Sequence, residues 1–212
     1  MYRLPALIIS AAFCLCCSSP ADPGDFTSEE KALIHRSVSG LESDTPEGTM
    51  RVLTIRDSSD LAVLRSKSSD LSASALLSSE YEDLSRLMVA TVTHPSQDGV
   101  GIAGPQVGLN RKIVAVQRFD KEGEPFEVYP NISIVWASDS LTAGPEGCLS
   151  VPDRRGDVLR STEIIIEYAD ITALSKDCKE VPMVRDTISG FTAVIFQHET
   201  DHLDGVLYID KL

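Results

Sequence analysis

Residues 189–205, SGFTAVIFQHETDHLDG, constrain the fold more than any other stretch of this chain. Phe191, Ile195, His198 and His202 recur at helical spacing, and Gly205 stands where a helix would end. Val194 and Phe196 make the other face apolar too, so the pattern predicts a helix buried at the centre of its domain. His198 and His202 share a face and can aim ring nitrogens at one point, with Glu199 one step round. This H-E-x-x-H pattern supplies two metal ligands and a carboxylate able to take a proton from water. Two idle histidines on a soluble helix would look the same, so the argument turns on a third ligand.

Almost no chain remains beyond His202. Asp204 and Asp210 are the only carboxylates there, and Asp204 follows too closely to fold back. Upstream, GPEGCLSVP offers Cys148 beside Gly147, at a bend between strand-like stretches. A cysteine alone is normally an inert buried thiol. With His198 and His202 it becomes the better third ligand, of a site that keeps one position open as catalysis requires. A further stretch, DGVGIAGPQVGLN, sets Gly99, Gly101, Gly104 and Gly108 around Gln106. Such glycine density lets backbone approach something closely. The stretch matches neither common phosphate-loop pattern and lacks the lysine of one of them. It reads either as a plain turn or as a cleft in which the Gln106 amide donates to a carbonyl oxygen under attack.

With 212 residues, 42% of them hydrophobic, the chain is long enough for one domain with a real core. Its formal charge of -13 weighs against a nucleic-acid or anionic-membrane partner, since both repel an acidic surface. Three of the five cysteines, Cys14, Cys16 and Cys17, crowd the start, which is no disulfide scaffold; a Cys148–Cys178 bridge is possible but not favoured. Residues 1–21 have the layout of an export leader: Arg3, an apolar run from Leu4 to Cys17, then small residues. The run is shorter than the roughly 20 residues of a spanning helix, and Pro5 fits an ordinary strand poorly. Cleavage after Ala21 and lipidation at Cys17 (or Cys16) both stay open, although Leu15 and Cys16 depart from the small residue usual before a lipid-bearing cysteine. The expected location is therefore the cell envelope, periplasmic or lipid-anchored, with the cytoplasm as the alternative.

Residues 22–49 read as a polar extension, helical from about Thr27 to Val38 and broken at Pro46 and Gly48. Leu84, Leu87, Met88, Thr91 and Val92 mark a second helix, stopped by Pro95. RKIVAVQRF, FEVYPNISIVW and TEIIIEYADITAL are strand-like, rich in β-branched and aromatic residues. Helix, strands and helix predict an α+β domain.

The stretches GVGIAGPQVG, EGCLS and QHETDH, in this order, resemble the three motifs of the peptide deformylase family. The resemblance runs from roughly Met50 to Leu212, including VPDRRGDVLR and LDGVLYID, so residues 50–212 are expected to be the catalytic domain. It implies antiparallel strands packed around a central metal-binding helix. It also implies one divalent ion, iron(II), with zinc, nickel or cobalt able to substitute, held by Cys148, His198 and His202. Glu199 would be general base and acid, with Gln106 and the Leu149 backbone N–H donating to the formyl oxygen. The substrate would be an N-formylmethionyl peptide, giving formate and a free N-terminus. Val100, Phe191, Val194 and Ile195 would border an apolar methionine slot, each equally readable as core packing. Gly101 and Glu146 would hold the peptide backbone or brace the ligands. Arg155 and Arg160 would steer substrate, brace the motif loop or simply pair at the surface.

A monomer is expected; the acidic charge leaves no nucleic-acid partner expected, and the leader allows membrane attachment only through a lipidated N-terminal cysteine. Gly104 stands where the family carries alanine, and is expected to loosen its loop. The leader and the 22–49 segment are not part of the usual cytoplasmic enzyme, which points to formyl peptides outside the inner membrane as substrate. Two other functions compete. One is an H-E-x-x-H metallopeptidase that cuts internal bonds and has no need of Cys148. The other is a catalytically silent protein that kept the fold for binding.

Overall fold

The computed structural model describes residues 22–41, 45–178 and 180–212; the expected leader, residues 1–21, lies outside them. Helix α1 (Ser28–Val38) starts where the sequence places it. The Thr27 hydroxyl accepts the Glu30 N–H at 3.2 Å and the Glu30 carboxylate accepts the Thr27 N–H at 2.7 Å, a reciprocal cap. The segment expected as an extension outside the catalytic domain is packed into it. Phe26 and Ile34 join the core formed by Leu84, Leu87, Met88, Ile102 and Ile113. Buried Arg111 fastens the segment, donating to both Glu30 oxygens at 2.7 and 2.8 Å and to the carbonyls of Pro23 and Asp25. No local pattern around Arg111 announces that tie, because its partners lie more than 80 positions away.

Helices α2 (Ser58–Leu64) and α3 (Ala73–Leu76) are short and capped by Asp57 and Ser72. Helix α4 (Ser79–Thr93) buries Leu84, Leu87, Met88, Thr91 and Val92, the face that its periodicity marks. Strands β1 (Gly101–Ala103), β2 (Ile113–Gln117) and β3 (Phe126–Pro130) form one antiparallel sheet. The stretch FEVYPNISIVW is not one strand. It breaks after β3 at Asn131, which adopts a left-handed φ of 53° and ties the main chain of Leu71 from both sides. Past this break, β4 (Ser133–Ala137) belongs to a different sheet.

Strands β5 (Leu141–Cys148) and β6 (Val151–Ser161) make a long hairpin that no apolar alternation marks, since Gly, Pro, Asp and Arg fill much of it. Strand β7 (Glu163–Ala169) lies between β4 and β8 (Met183–Ser189) in the second three-stranded sheet. Helix α5 (Gly190–Leu203) follows at once. Ala193, Ile195, Phe196 and Leu203 from α5 share a second core with Val114 and Val116 of the first sheet and Ile164, Ile166 and Ile188 of the second. Burying a side chain such as Phe196 is worth about 1.5–3 kcal/mol, so both sheets hold the helix at a fixed depth and rotation. Gly205 ends it at φ 72°, and a Cβ there would strike the Arg65 backbone. The last turn, 208–211, closes a small third core of Val151, Val158, Leu207 and Tyr208 under the hairpin.

Candidate metal centre

Cys148 ends β5, and α5 supplies His198 and His202 from the same face; their ligand atoms all lie within 4.8 Å of one another. The Cys148 sulfur is 3.3 Å from His202 Nε2. Cys148 and Cys178 are both free thiols, so the bridge between them does not form. His198 donates from Nδ1 to Glu146 at 2.8 Å, which makes Nε2 the nitrogen that would offer its lone pair to a cation once deprotonated. Glu146 is gripped in turn by Arg160, which donates to both carboxylate oxygens at 2.7 and 2.9 Å. Arg160 also holds Asp201 on the same helix at 2.6 Å. It is buried, so it braces the ligands and does not steer substrate. Arg155 borders the cleft.

Burial opposes ionisation of Glu146, but Arg160 and His198 outweigh it and hold this carboxyl down at about 2. Burial likewise disfavours a charged His198, yet Cys148 and Glu146 raise it to about 10, so a cation entering here must displace a proton. Burial drives Glu199 up to about 7, near the range a general base needs. The donor set fits a single divalent ion: one sulfur and two imidazoles suit zinc or iron(II) and leave a coordination position open. Among the described residues, Glu199 Oε2 and His202 Nδ1 are buried without a protein partner, and stranded polar atoms of this kind are expected where a site is built for polar guests.

Gln106 sits in a tight turn, residues 104–107, and its amide has only one workable orientation. Oε1 accepts the Ala103 N–H at 2.8 Å, so Nε2 faces Cys148 at 3.5 Å and Ser150 at 3.2 Å. Ser150 was not among the expected site residues, although it lies in the same CLS stretch. The glycines nearby do separate work. A Cβ on Gly101 would come within 2.5 Å of Glu199 Oε1, so this glycine makes room for the carboxylate. Gly104 does not loosen its loop, because a Cβ there would meet the Arg111 and Leu109 carbonyls at 2.6 and 2.7 Å. Its missing methyl is what lets this turn lie directly against the backbone of residues 109–111.

These groups open into a cleft of about 470 Å³. Val100, Gly101, Leu149, Phe191, Val194 and Ile195 border it together with Gln106, Glu146, Cys148, His198 and Glu199; His202 is fully buried behind them. Phe191 is not a core residue: 57% exposed, it stands at the rim with Phe119, ring centroids 5.3 Å apart. Tyr208 stacks on His198 at 6.0 Å, a support the sequence did not reveal.

A cysteine sulfur and two imidazoles meeting beside a buried carboxylate, in an open cleft of an α+β domain, define a mononuclear metallohydrolase. Residues 50–212 match the family profile of polypeptide deformylase. A peptide deformylase of Leptospira biflexa is 36% identical over 157 residues, 71% of this chain and 82% of that protein. One from Vibrio vulnificus is 38% identical over 149 residues, 70% of this chain and 80% of the relative. The class I type b peptide deformylase of Acinetobacter baumannii, solved with Met-Ala-Ser bound, superposes with a TM-score of 0.65 at 30% identity, covering 77% of this chain and 98% of that one. The Thermotoga maritima enzyme gives 0.64 at 27% identity, covering 77% and 97%. The chain belongs to the polypeptide deformylase family. Its activity is metal-dependent hydrolysis of the N-formyl group from N-formylmethionyl peptides or proteins, releasing formate.

Proposed function

We propose that Cys148, His198 and His202 hold the ion and that Glu199, Gln106 and the Leu149 backbone N–H carry the chemistry. The supporting observation is the convergence of three ligand atoms within 4.8 Å beside a buried carboxylate. A divalent ion bound there supplies Lewis acidity, polarising the formyl oxygen and lowering the pKa of a water to about 7. Glu199 takes the proton of the attacking water and returns it to the departing amine. Gln106 Nε2, its orientation fixed by Ala103, donates to the developing oxyanion, and the Leu149 N–H assists. Glu146 and Arg160 keep His198 in the correct tautomer. Val100, Phe191, Val194 and Ile195 receive the methionine side chain, and Gly101, on the cleft wall, holds the peptide backbone beside the Glu199 carboxylate for which it makes room.

Iron(II) is the proposed metal by family resemblance; zinc, nickel and cobalt suit the same ligands. A monomer is the proposed state. The leader-like residues 1–21 support export, with the protein periplasmic or lipid-anchored through Cys17 and acting on formyl peptides outside the inner membrane. No helix among the described residues is long and apolar enough to cross a membrane. Fractionation of the native host tests this: a processed chain in the envelope fraction is expected, and an unprocessed cytosolic chain would refute export. The catalytic assignment is tested by formate release from formyl-Met-Ala-Ser. Glu199→Ala is expected to lose about 10²–10⁴-fold in kcat while keeping its metal, and near-wild-type turnover would overturn the mechanism.

A further inference from the structure

The run before α2 ties together the two stretches that carry the proposed oxyanion donors. Leu53 donates its backbone N–H to the Gln106 carbonyl at 2.8 Å, and Ile55, two residues on, donates to the Ser150 carbonyl at 2.9 Å. Gln106 Nε2 and the Ser150 hydroxyl, 3.2 Å apart, close the ring. Two residues of chain span at most about 7 Å, so residues 53–55 limit how far the Gln106 turn and the CLS stretch can drift apart. Gln106 and Ser150 are both buried, and losing either bond would strand a carbonyl there.

Asp60, in the first turn of α2, fixes that link from outside the cleft. It is 3% exposed, and its two oxygens accept three hydrogen bonds. Two come from the terminal nitrogens of Arg51, at 2.9 and 2.6 Å, and one from the Thr54 N–H at 3.0 Å. Arg51 and Thr54 lie on either side of Leu53, so Asp60 holds the link at both flanks. The Arg51 guanidinium keeps the Asp60 carboxyl below the usual carboxylate range, and both oxygens therefore accept at neutral pH. We propose that Asp60 is a positioning residue for formyl hydrolysis, acting through Thr54 and the 53–55 link on the spacing between the Gln106 amide and the Leu149 N–H. The inference rests on the deformylase reading, in which both groups face the formyl oxygen. A donor stabilises a developing oxyanion best when its place is set before the charge appears. An asparagine at position 60 offers one oxygen where three donors converge and turns its own NH2 against one of them, which loosens the link.

Metal-loaded wild type, Asp60→Asn, Gln106→Ala and the double variant are compared on formyl-Met-Ala-Ser. Asp60→Asn is expected to lower kcat about ten-fold, a part of the roughly 10²–10³-fold that removing an oxyanion donor costs, with KM within about two-fold. In the Gln106→Ala background the same change should cost no more than about two-fold, because the group it aims is gone. Amide hydrogen exchange of Leu53 and Ile55 should be about five-fold faster in Asp60→Asn. Unchanged kcat or unchanged exchange in Asp60→Asn overturns the inference, and so does a kcat loss that recurs in full on Gln106→Ala, as a purely structural defect would give. Should Asp60→Asn fail to fold, Arg51→Met, altered at an exposed side chain, carries the same cycle with an expected loss of about three-fold. No loss, or one that recurs in full, overturns the inference there too. A wild type that releases no formate would instead overturn the deformylase reading, and the inference with it.

Discussion

Gly101 shows how much of the site depends on what a residue leaves out. Glu199 occupies the place a side chain at position 101 would take, with Oε1 2.5 Å from an added Cβ. Gly101→Ala should therefore displace the base while the fold persists, and small displacements of catalytic groups cost about 10²-fold. The expected result is that loss in formate release with an unchanged far-UV circular dichroism spectrum; full activity would show that the contact does not position Glu199. At this scale the reactive residues were legible, because sulfur, imidazole, carboxylate and amide announce their chemistry by type and spacing. The residues that aim them were not. Ser150 beside Gln106 and Tyr208 against His198 act through contacts that span 44 and ten sequence positions, and nothing local marks them; Arg160, for which bracing the motif loop was one of three readings, grips Glu146.

Among the elements, α1 was legible as a helix and illegible as a part of the core. Its cap and periodicity are local, whereas its attachment depends on Arg111, far along the chain. The hairpin of β5 and β6 was missed for a related reason: Gly144, Pro145 and Gly147 carry no strand preference, and pairing across the hairpin supplies what the local sequence lacks. Glu30 makes the α1 attachment testable. Burial would raise its pKa, but Arg111 and the Thr27 N–H outweigh this and hold it below the ordinary 4.5. A depressed folded-state value means that the ion pair contributes fully above about pH 4.5 and fades as pH falls through the lower folded value. Glu30→Gln should cost about 1.5–3 kcal/mol at neutral pH, as for a hydrogen bond to a charged group. Thermal midpoints of the two proteins should converge in acid; a gap that widens on acidification would contradict the assignment.

Across the whole molecule, two sheets clasp one helix and the hairpin lays a sulfur against that helix's histidines. The α+β class and the central helix were legible because α5 is apolar on both faces. The division of the strands into two sheets was not, since it depends on one left-handed residue, Asn131, in the middle of an apolar run. The central claim is that Cys148, His198 and His202 share a single ion. X-ray absorption of the zinc-loaded protein addresses it directly. One sulfur scatterer at about 2.3 Å and nitrogen scatterers at about 2.0–2.1 Å are expected, with the sulfur lost in Cys148→Ser. A wild-type spectrum without a sulfur neighbour would contradict the account.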